Sequence, residues 1–212
     1  MMGYEAQIAG LGDAYPNRKI MNQVIRFLKK ESNNTIQKRR NEVLKTIYDT
    51  GIQLDFVNGG GTGSILMSSR ETSLTEVTVG SGFFCPTLFD NYHDFELESA
   101  AFYAIEIVRQ PQKNIYTCLG GGYVASGAMG NDKLPKIHLP VGAELFKNEM
   151  AGEVQTPIKY TGKNKLNIGD PVFMRHAKAG ELMERFEKVY LVQKGQIKDV
   201  VETYRGSGQC FL

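Results

Sequence analysis

The sequence has 212 residues, 42% hydrophobic and 23% charged, globular proportions that exclude a disordered chain or a coiled coil. A net charge of +2 gives no reason to invoke nucleic acid or an anionic membrane, and no apolar run reaches the ~20 residues that a membrane span needs. Three lone cysteines, Cys85, Cys118 and Cys210, form no CxxC pair, which points to a reduced, cytoplasmic setting.

The first ten residues form a compact apolar segment with no polar leader, and the chain reads as though it begins inside a fold, from an internal start or a split reading frame. Pro16-Asn17 then introduces a long helical stretch. Ile20, Val24, Phe27 and Leu28 recur at helical spacing, as do Ile36, Arg40, Val43, Leu44 and Ile47. Asn33-Asn34 predicts a break into two helices, with Asn34 or Thr35 capping the second and Gly51 stopping it. The basic residues Arg18, Lys19, Arg26, Lys29, Lys30, Lys38, Arg39, Arg40 and Lys45 read as a solvated outer face.

After Gly51 the period changes. Residues 52–57 are a short apolar run, compatible with a buried parallel strand, and end in Asn58-Gly59-Gly60-Gly61-Thr62-Gly63-Ser64. Residues 65–67 begin a turn or short helix, and a second strand-like run, 75–79, ends in Gly80-Ser81-Gly82. This is βα alternation with glycine loops at strand C-termini. Beyond residue 95 the pattern becomes antiparallel β. Ala101, Tyr103, Ile105 and Ile107 alternate, residues 115–119 precede Gly120-Gly121-Gly122, and 154–160 and 171–175 look like strands. Residues 189–192 and 197–201 flank a Lys194-Gly195 turn and predict a hairpin. The domain boundary is placed in the aromatic loop at 83–94, giving domains 1–94 and 95–212.

The 59–64 loop offers backbone N–H groups free of Cβ interference together with two hydroxyls, which suits a phosphate monoester; the alternative is a purely conformational turn. It has neither Walker nor GxGxxG spacing. Gly80-Ser81-Gly82 supports the phosphate reading, because loops following successive barrel strands lie side by side on one rim. His93 and His138 lack ligand partners and read as surface or packing residues. A strand through 171–178 would place His176 and Lys178 on one face, in either a structural or a functional role. Glu5, Glu76 and Glu181 are further candidates, and no catalytic triad or cysteine–histidine pair stands out.

Taken in order, Met2-Gly3-Tyr4-Glu5-Ala6-Gln7, residues 57–64, residues 75–82 and Gly169-Asp170-Pro171-Val172-Phe173-Met174-Arg175-His176 resemble the D-threonine aldolase and D-serine dehydratase-like group of pyridoxal phosphate enzymes, over nearly the whole chain. The resemblance implies an alanine racemase fold: the last three strands of a (β/α)8 barrel (residues 1–94) and a C-terminal antiparallel β domain (95–212). It implies that Gly60, Gly61, Thr62 and Gly63 hold the cofactor phosphate, that Gly80 and Ser81 add donors, and that Tyr4 lies near the cofactor ring. The Schiff-base lysine of the resembled enzymes falls on an earlier strand, so the chain alone is expected to be inactive. Metal-dependent members carry His-x-Cys or His-x-Asp where this sequence has His176-Ala177-Lys178, so no metal is expected. The Lys178 ammonium would take over the cation's role toward a substrate hydroxyl or carboxylate, with His176 beside it. The implied activity is that of an amino acid aldolase, dehydratase, deaminase or racemase acting on a small amino acid, as a homodimer or with a complementing N-terminal chain. The alternatives are a non-catalytic module that binds pyridoxal phosphate or another phosphate ester, and a subunit that completes a separately encoded barrel.

Overall fold

The computed structural model describes residues 1–128 and 130–210, apart from the side chain of Gln7. It divides into two units, Met1–Glu98 and Ser99–Leu212. No helix is long and apolar enough to cross a membrane among the described residues.

The first unit contains β1 (Met2–Gly3), α1 (Ala6–Ala9), α2 (Lys19–Asp49), β2 (Asn58–Gly59), α3 (Ile65–Ser68) and β3 (Glu76–Val77). Tight 3-10 turns at Thr62–Ser64, Gly80–Phe83 and Thr87–Asn91 complete it. The strands form a parallel sheet in the order β1-β2-β3, with Gly3 opposite Gly59 and Gly59 opposite Val77. Each strand is shorter than the sequence suggests: only Asn58–Gly59 pairs at the end of the 52–57 run, and residues 6–9 form a helical turn. The aromatic loop packs Phe89, Tyr92 and Phe95 into one cluster, and the Tyr92 hydroxyl donates to Ala9 O at 2.6 Å.

Helix α2 departs from its predicted form. It is one uninterrupted helix across Asn33-Asn34. Thr35 Oγ1 donates back to Glu31 O at 3.1 Å, the bond of a mid-helix threonine and not of a cap. Its polarity is also inverted near the start: Ile20, Val24, Phe27 and Leu28 face outward, while Lys29 and Arg40, counted above among solvated cations, are buried. Acidic partners compensate both charges. Lys29 Nζ lies 2.9 Å from Asp13 Oδ2 and 4.5 Å from the Tyr92 ring centroid, and Arg40 pairs with Glu5 and Glu71.

The second unit holds β4 (Tyr103–Gln112), β5 (Ile115–Leu119), β6 (Lys136–Leu139), β7 (Ala143–Leu145), β8 (Gln155–Tyr160), β9 (Pro171–Arg175), α4 (Ala179–Leu182), β10 (Lys188–Gln193) and β11 (Gln196–Glu202). The first six strands form an antiparallel sheet in the order β6-β9-β4-β5-β8-β7. Strands β6 and β7, at the two ends of that order, also approach each other, so the sheet nearly closes. Period-two alternation in β4 turns Tyr103, Ile105 and Ile107 inward. They meet Cys118, Ile158, Val172 and Met174, which have no exposed surface. Burying each large aliphatic side chain contributes roughly 1.5–3 kcal/mol. Burial also pushes the Cys118 thiol up to about 11, leaving it an inert core group. The hairpin predicted at Lys194-Gly195 forms, with both residues at positive φ (50° and 74°) as a two-residue turn requires. His138, in β6, stacks on Phe102 with ring centroids 4.5 Å apart.

Candidate functional sites in the two units

In the first unit the two glycine loops lie side by side. Each strand end runs into a 3-10 turn, so the leading N–H groups of that turn have no acceptor within it. Those are Thr62 and Gly63 in one loop and Gly80 and Ser81 in the other. Thr62 ties the loops together. Its hydroxyl donates to Val79 O, accepts from the Gly82 N–H at 3.0 Å, and lies 3.5 Å from Ser81 Oγ. The Thr62 side chain is therefore occupied, and its free contribution to an anion is its backbone N–H.

The first loop is braced from within by reciprocal bonds. Gly61 N–H donates to Ser64 Oγ at 3.0 Å, and Ser64 N–H donates to Gly61 O at 3.1 Å. One close approach, against backbone, requires glycine, and a second is tight against a side chain. A Cβ on Gly63 would stand 1.7 Å from Ala9 O, and one on Gly61 would stand 2.6 Å from Cε2 of Tyr4. Gly60 turns the chain at φ 75° and Gly80 at φ 39°. Tyr4, just past β1, is 57% exposed and lies against Gly61. Tyr4, Gly60, Gly61, Thr62, Gly63, Gly80 and Ser81 thus gather on one rim. The set suits a phosphate ester: N–H groups from two loops, the Ser81 hydroxyl, and a partly exposed aromatic face beside them.

Around this rim the polar residues of the two motifs bond to one another, a pairing the motifs alone do not reveal. Asn58 Nδ2 donates to Glu76 Oε1 at 2.5 Å and to Thr78 Oγ1 at 2.8 Å, locking β2 to β3. Glu5, a candidate participant from the sequence, is committed to Arg40 beneath β1.

In the second unit His176 and Lys178 do not share a strand face. β9 stops at Arg175, and Lys178 is the N-cap of α4. The two residues separate instead: His176 is 4% exposed, whereas Lys178 reaches partly into solvent. His176 Nδ1 bonds the Lys178 carbonyl. The Lys178 N–H approaches the same Nδ1 at 3.1 Å, so both backbone groups of Lys178 hold this side of the ring. Burial lowers the His176 pKa; the backbone bond and Glu181 oppose this, while Arg185 and Lys178 reinforce it. His176 is therefore a neutral imidazole at pH 7.

Lys178 has two partners: Glu181, three residues on and already a candidate, and the distant Ser126, which sequence spacing gives no means of finding. Its Nζ lies 3.2 Å from Ser126 Oγ and 3.7 Å from Glu181 Oε1. Ser126 N–H donates to Glu181 Oε2 at 2.8 Å, and its hydroxyl donates to Oε1. Burial pushes the Glu181 carboxyl upward, but the Ser126 hydrogen bonds and the Lys178 charge outweigh it and hold the group below its ordinary value. The Lys178 ammonium is thus a fixed cation. Among the described residues no group of three or more His, Cys, Asp or Glu side chains is placed to hold a metal ion.

The fold is alanine-racemase-like, with a nearly closed antiparallel sheet of six strands in the second unit. Among solved structures the chain is similar to D-threonine aldolase from Filomicrobium marinum, with a TM-score of 0.71 and 13% identity, over 97% of this chain and 53% of that one. It is also similar to D-threo-3-hydroxyaspartate dehydratase from Delftia sp. HT23 (TM-score 0.61, 16% identity, 95% of this chain and 55% of that one). A third is alanine racemase from Clostridium difficile 630 in complex with cycloserine (TM-score 0.52, 14% identity, 95% and 55%). The chain spans about half the length of each. No protein-family model and no curated protein sequence matches it.

Proposed function

We propose that this chain is the phosphate-gripping part of a pyridoxal-phosphate-dependent amino acid enzyme of the aldolase, dehydratase or racemase kind. It corresponds to the C-terminal part of such an enzyme, with domains at 1–94 and 95–212. The observation that carries the reading is the tie between the two glycine loops through the Thr62 hydroxyl. Chemically different neighbours on one fold leave the cofactor as their common element. When bound, pyridoxal phosphate supplies the electron sink that eases bond breaking at an amino acid Cα.

The residues divide the remaining work. The N–H groups of Thr62, Gly63, Gly80 and Ser81 would bind the phosphate dianion, with Gly60 and Gly61 bringing the backbone close, and the Tyr4 ring would orient the cofactor plane. His176, whose pKa burial lowers, is suited to take a proton from the amino acid as a neutral imidazole. Lys178, pinned by Ser126 and Glu181, is suited to hold the negative charge of the substrate's carboxylate or hydroxyl, and it makes a metal unnecessary there. Turnover requires the lysine to which the resembled enzymes attach their cofactor and the strands beside β1. These would come from a longer chain or a complementing N-terminal chain, within a homodimer or without one.

Calorimetric titration with pyridoxal phosphate and with pyridoxal tests this. The 212-residue chain should bind the phosphorylated form more tightly by roughly one to two orders of magnitude, a gap expected of several charge-assisted hydrogen bonds. Thr62→Val, which releases one loop from the other, should narrow that gap about tenfold. Equal affinity of the parent for both compounds would refute the reading.

A further inference from the structure

We infer that Arg40 is a positioning residue that sets the Tyr4 ring and the first glycine loop from beneath, acting through the strands on which they are carried; this rests on the phosphate-site reading above. Arg40 lies in the middle of α2, yet its side chain is only 4% exposed. Nη2 donates to Gly3 O at 3.1 Å and to Glu5 Oε1 at 2.5 Å. These two residues bracket Tyr4, so one nitrogen fixes the chain on both sides of that ring. Nη1 donates to Glu71 Oε2, and Glu71 Oε1 accepts from Ser73 Oγ at 2.7 Å, which anchors the turn leading into β3.

Between these anchors the guanidinium lies on bare backbone. A Cβ on Gly59 would fall 3.0 Å from Nη2, and one on Gly3 would fall 3.9 Å from Nε. Gly3 and Gly59 are opposite each other in the β1–β2 ladder and precede Tyr4 and Gly60-Gly61 directly. The side chain that braces the sheet therefore sits one residue from both Tyr4 and the first glycine loop. Tyr4 and Gly61 also touch, so a shift of either strand would part the ring from the loop.

Stability alone is a poor reason for this arrangement. Two buried carboxylates share one buried cation, and Glu5 Oε2 is enclosed without a hydrogen-bond partner among the described residues. Apolar side chains in such a place are commonly as stable or more so, whereas a rigid fork of donors fixes geometry. The carboxylates outweigh the desolvation of the guanidinium and raise its pKa, so the clamp stays charged.

The test measures the ratio of affinities for pyridoxal phosphate and pyridoxal on the 212-residue chain and its variants, alongside the thermal midpoint. Arg40→Lys keeps the charge but not the fork, and should cut the ratio roughly tenfold. Because Arg40→Lys risks misfolding, a milder pair runs beside it: Glu5→Gln keeps an acceptor for Nη2 and should preserve the ratio, while Glu5→Ala should lower it at a similar midpoint. A ratio unchanged in folded Arg40→Lys, or equal in Glu5→Ala and Glu5→Gln, overturns the role of Arg40 while leaving the phosphate site standing. A parent that shows no preference for the phosphorylated form overturns both, and the two failures are thereby told apart.

Discussion

At the scale of single residues, His176 makes a prediction that is independent of any ligand. Unfolded, its ring takes up a proton as the pH falls through the ordinary histidine value of 6.5; folded, burial delays that uptake to lower pH. The unfolded chain then holds more protons in this window, so stability is fully present above it and declines as the pH drops through it. Glu181 acts further down, since its carboxyl is held below 4.5 and its contribution is lost only as the pH falls below that value. Denaturant unfolding at steps between about pH 7 and 5 should show a loss of stability that His176→Asn flattens, because an amide can still reach the Lys178 carbonyl without titrating. An identical slope in both proteins would mean that the ring titrates normally. The sequence places His176 and Lys178 two residues apart but assumes a strand through both. The chain turns at Arg175, and the hydrogen bond from the ring to its own neighbour's backbone leaves no trace in spacing or polarity.

At the scale of elements, α2 is instructive. Asn33-Asn34 looks like a junction, yet the helix passes through because Arg40 and Lys29 on its buried side are each fastened to strands and loops of the same unit. Tertiary ion pairs there override a weak local preference. Asn34 is exposed in mid-helix, so Asn34→Ala should raise stability by about 0.5 kcal/mol on helix propensity alone. Had Asn34 capped a second helix, the same change would cost about 1 kcal/mol, so the sign seen in chemical denaturation is decisive. The glycine loops are legible because glycine type and position are themselves the constraint: Gly63 leaves no room for a Cβ beside Ala9. The short strands are less legible. Residues 52–57 are apolar enough for a longer strand, but only Asn58 and Gly59 find partners. In the second unit Tyr103, Ile105 and Ile107 announce β4 by alternation, whereas β6 and β7 are too short for the inward turn of Ile137, or of Ala143 and Leu145, to stand out as a pattern.

At the scale of the whole molecule, protection should be uneven. In the second unit the fully buried Ile107, Cys118, Ile158, Val172 and Met174 all lie on the central strands β4, β5, β8 and β9. Among the described residues β10 and β11 pair only with each other, and almost every residue in them is exposed. A two-stranded ribbon without a covered face is marginal by itself. Amide hydrogen exchange should therefore be slowest in the central strands of the large sheet and fastest, within the second unit, in residues 188–202. Comparable protection in both would show that the ribbon is held by something stronger than its own ladder.

The large sheet is also a hoop with a short clasp. β6 and β7 stand at its two ends, yet only Pro140, Val141 and Gly142 separate them along the chain. Ala143 N–H donates to Pro140 O, and Thr161 N–H donates to Gly142 O, so the clasp is fastened on both sides. A sheet so nearly closed turns its two end strands toward each other and offers few bare strand margins to a neighbouring molecule, which guards a β-rich unit against edgewise stacking. Chain surgery inherits the same logic: a tag or spliced peptide at the exposed turn Lys147-Asn148-Glu149 merely widens a loop, whereas even a few residues added at 140–142 would spring the hoop open.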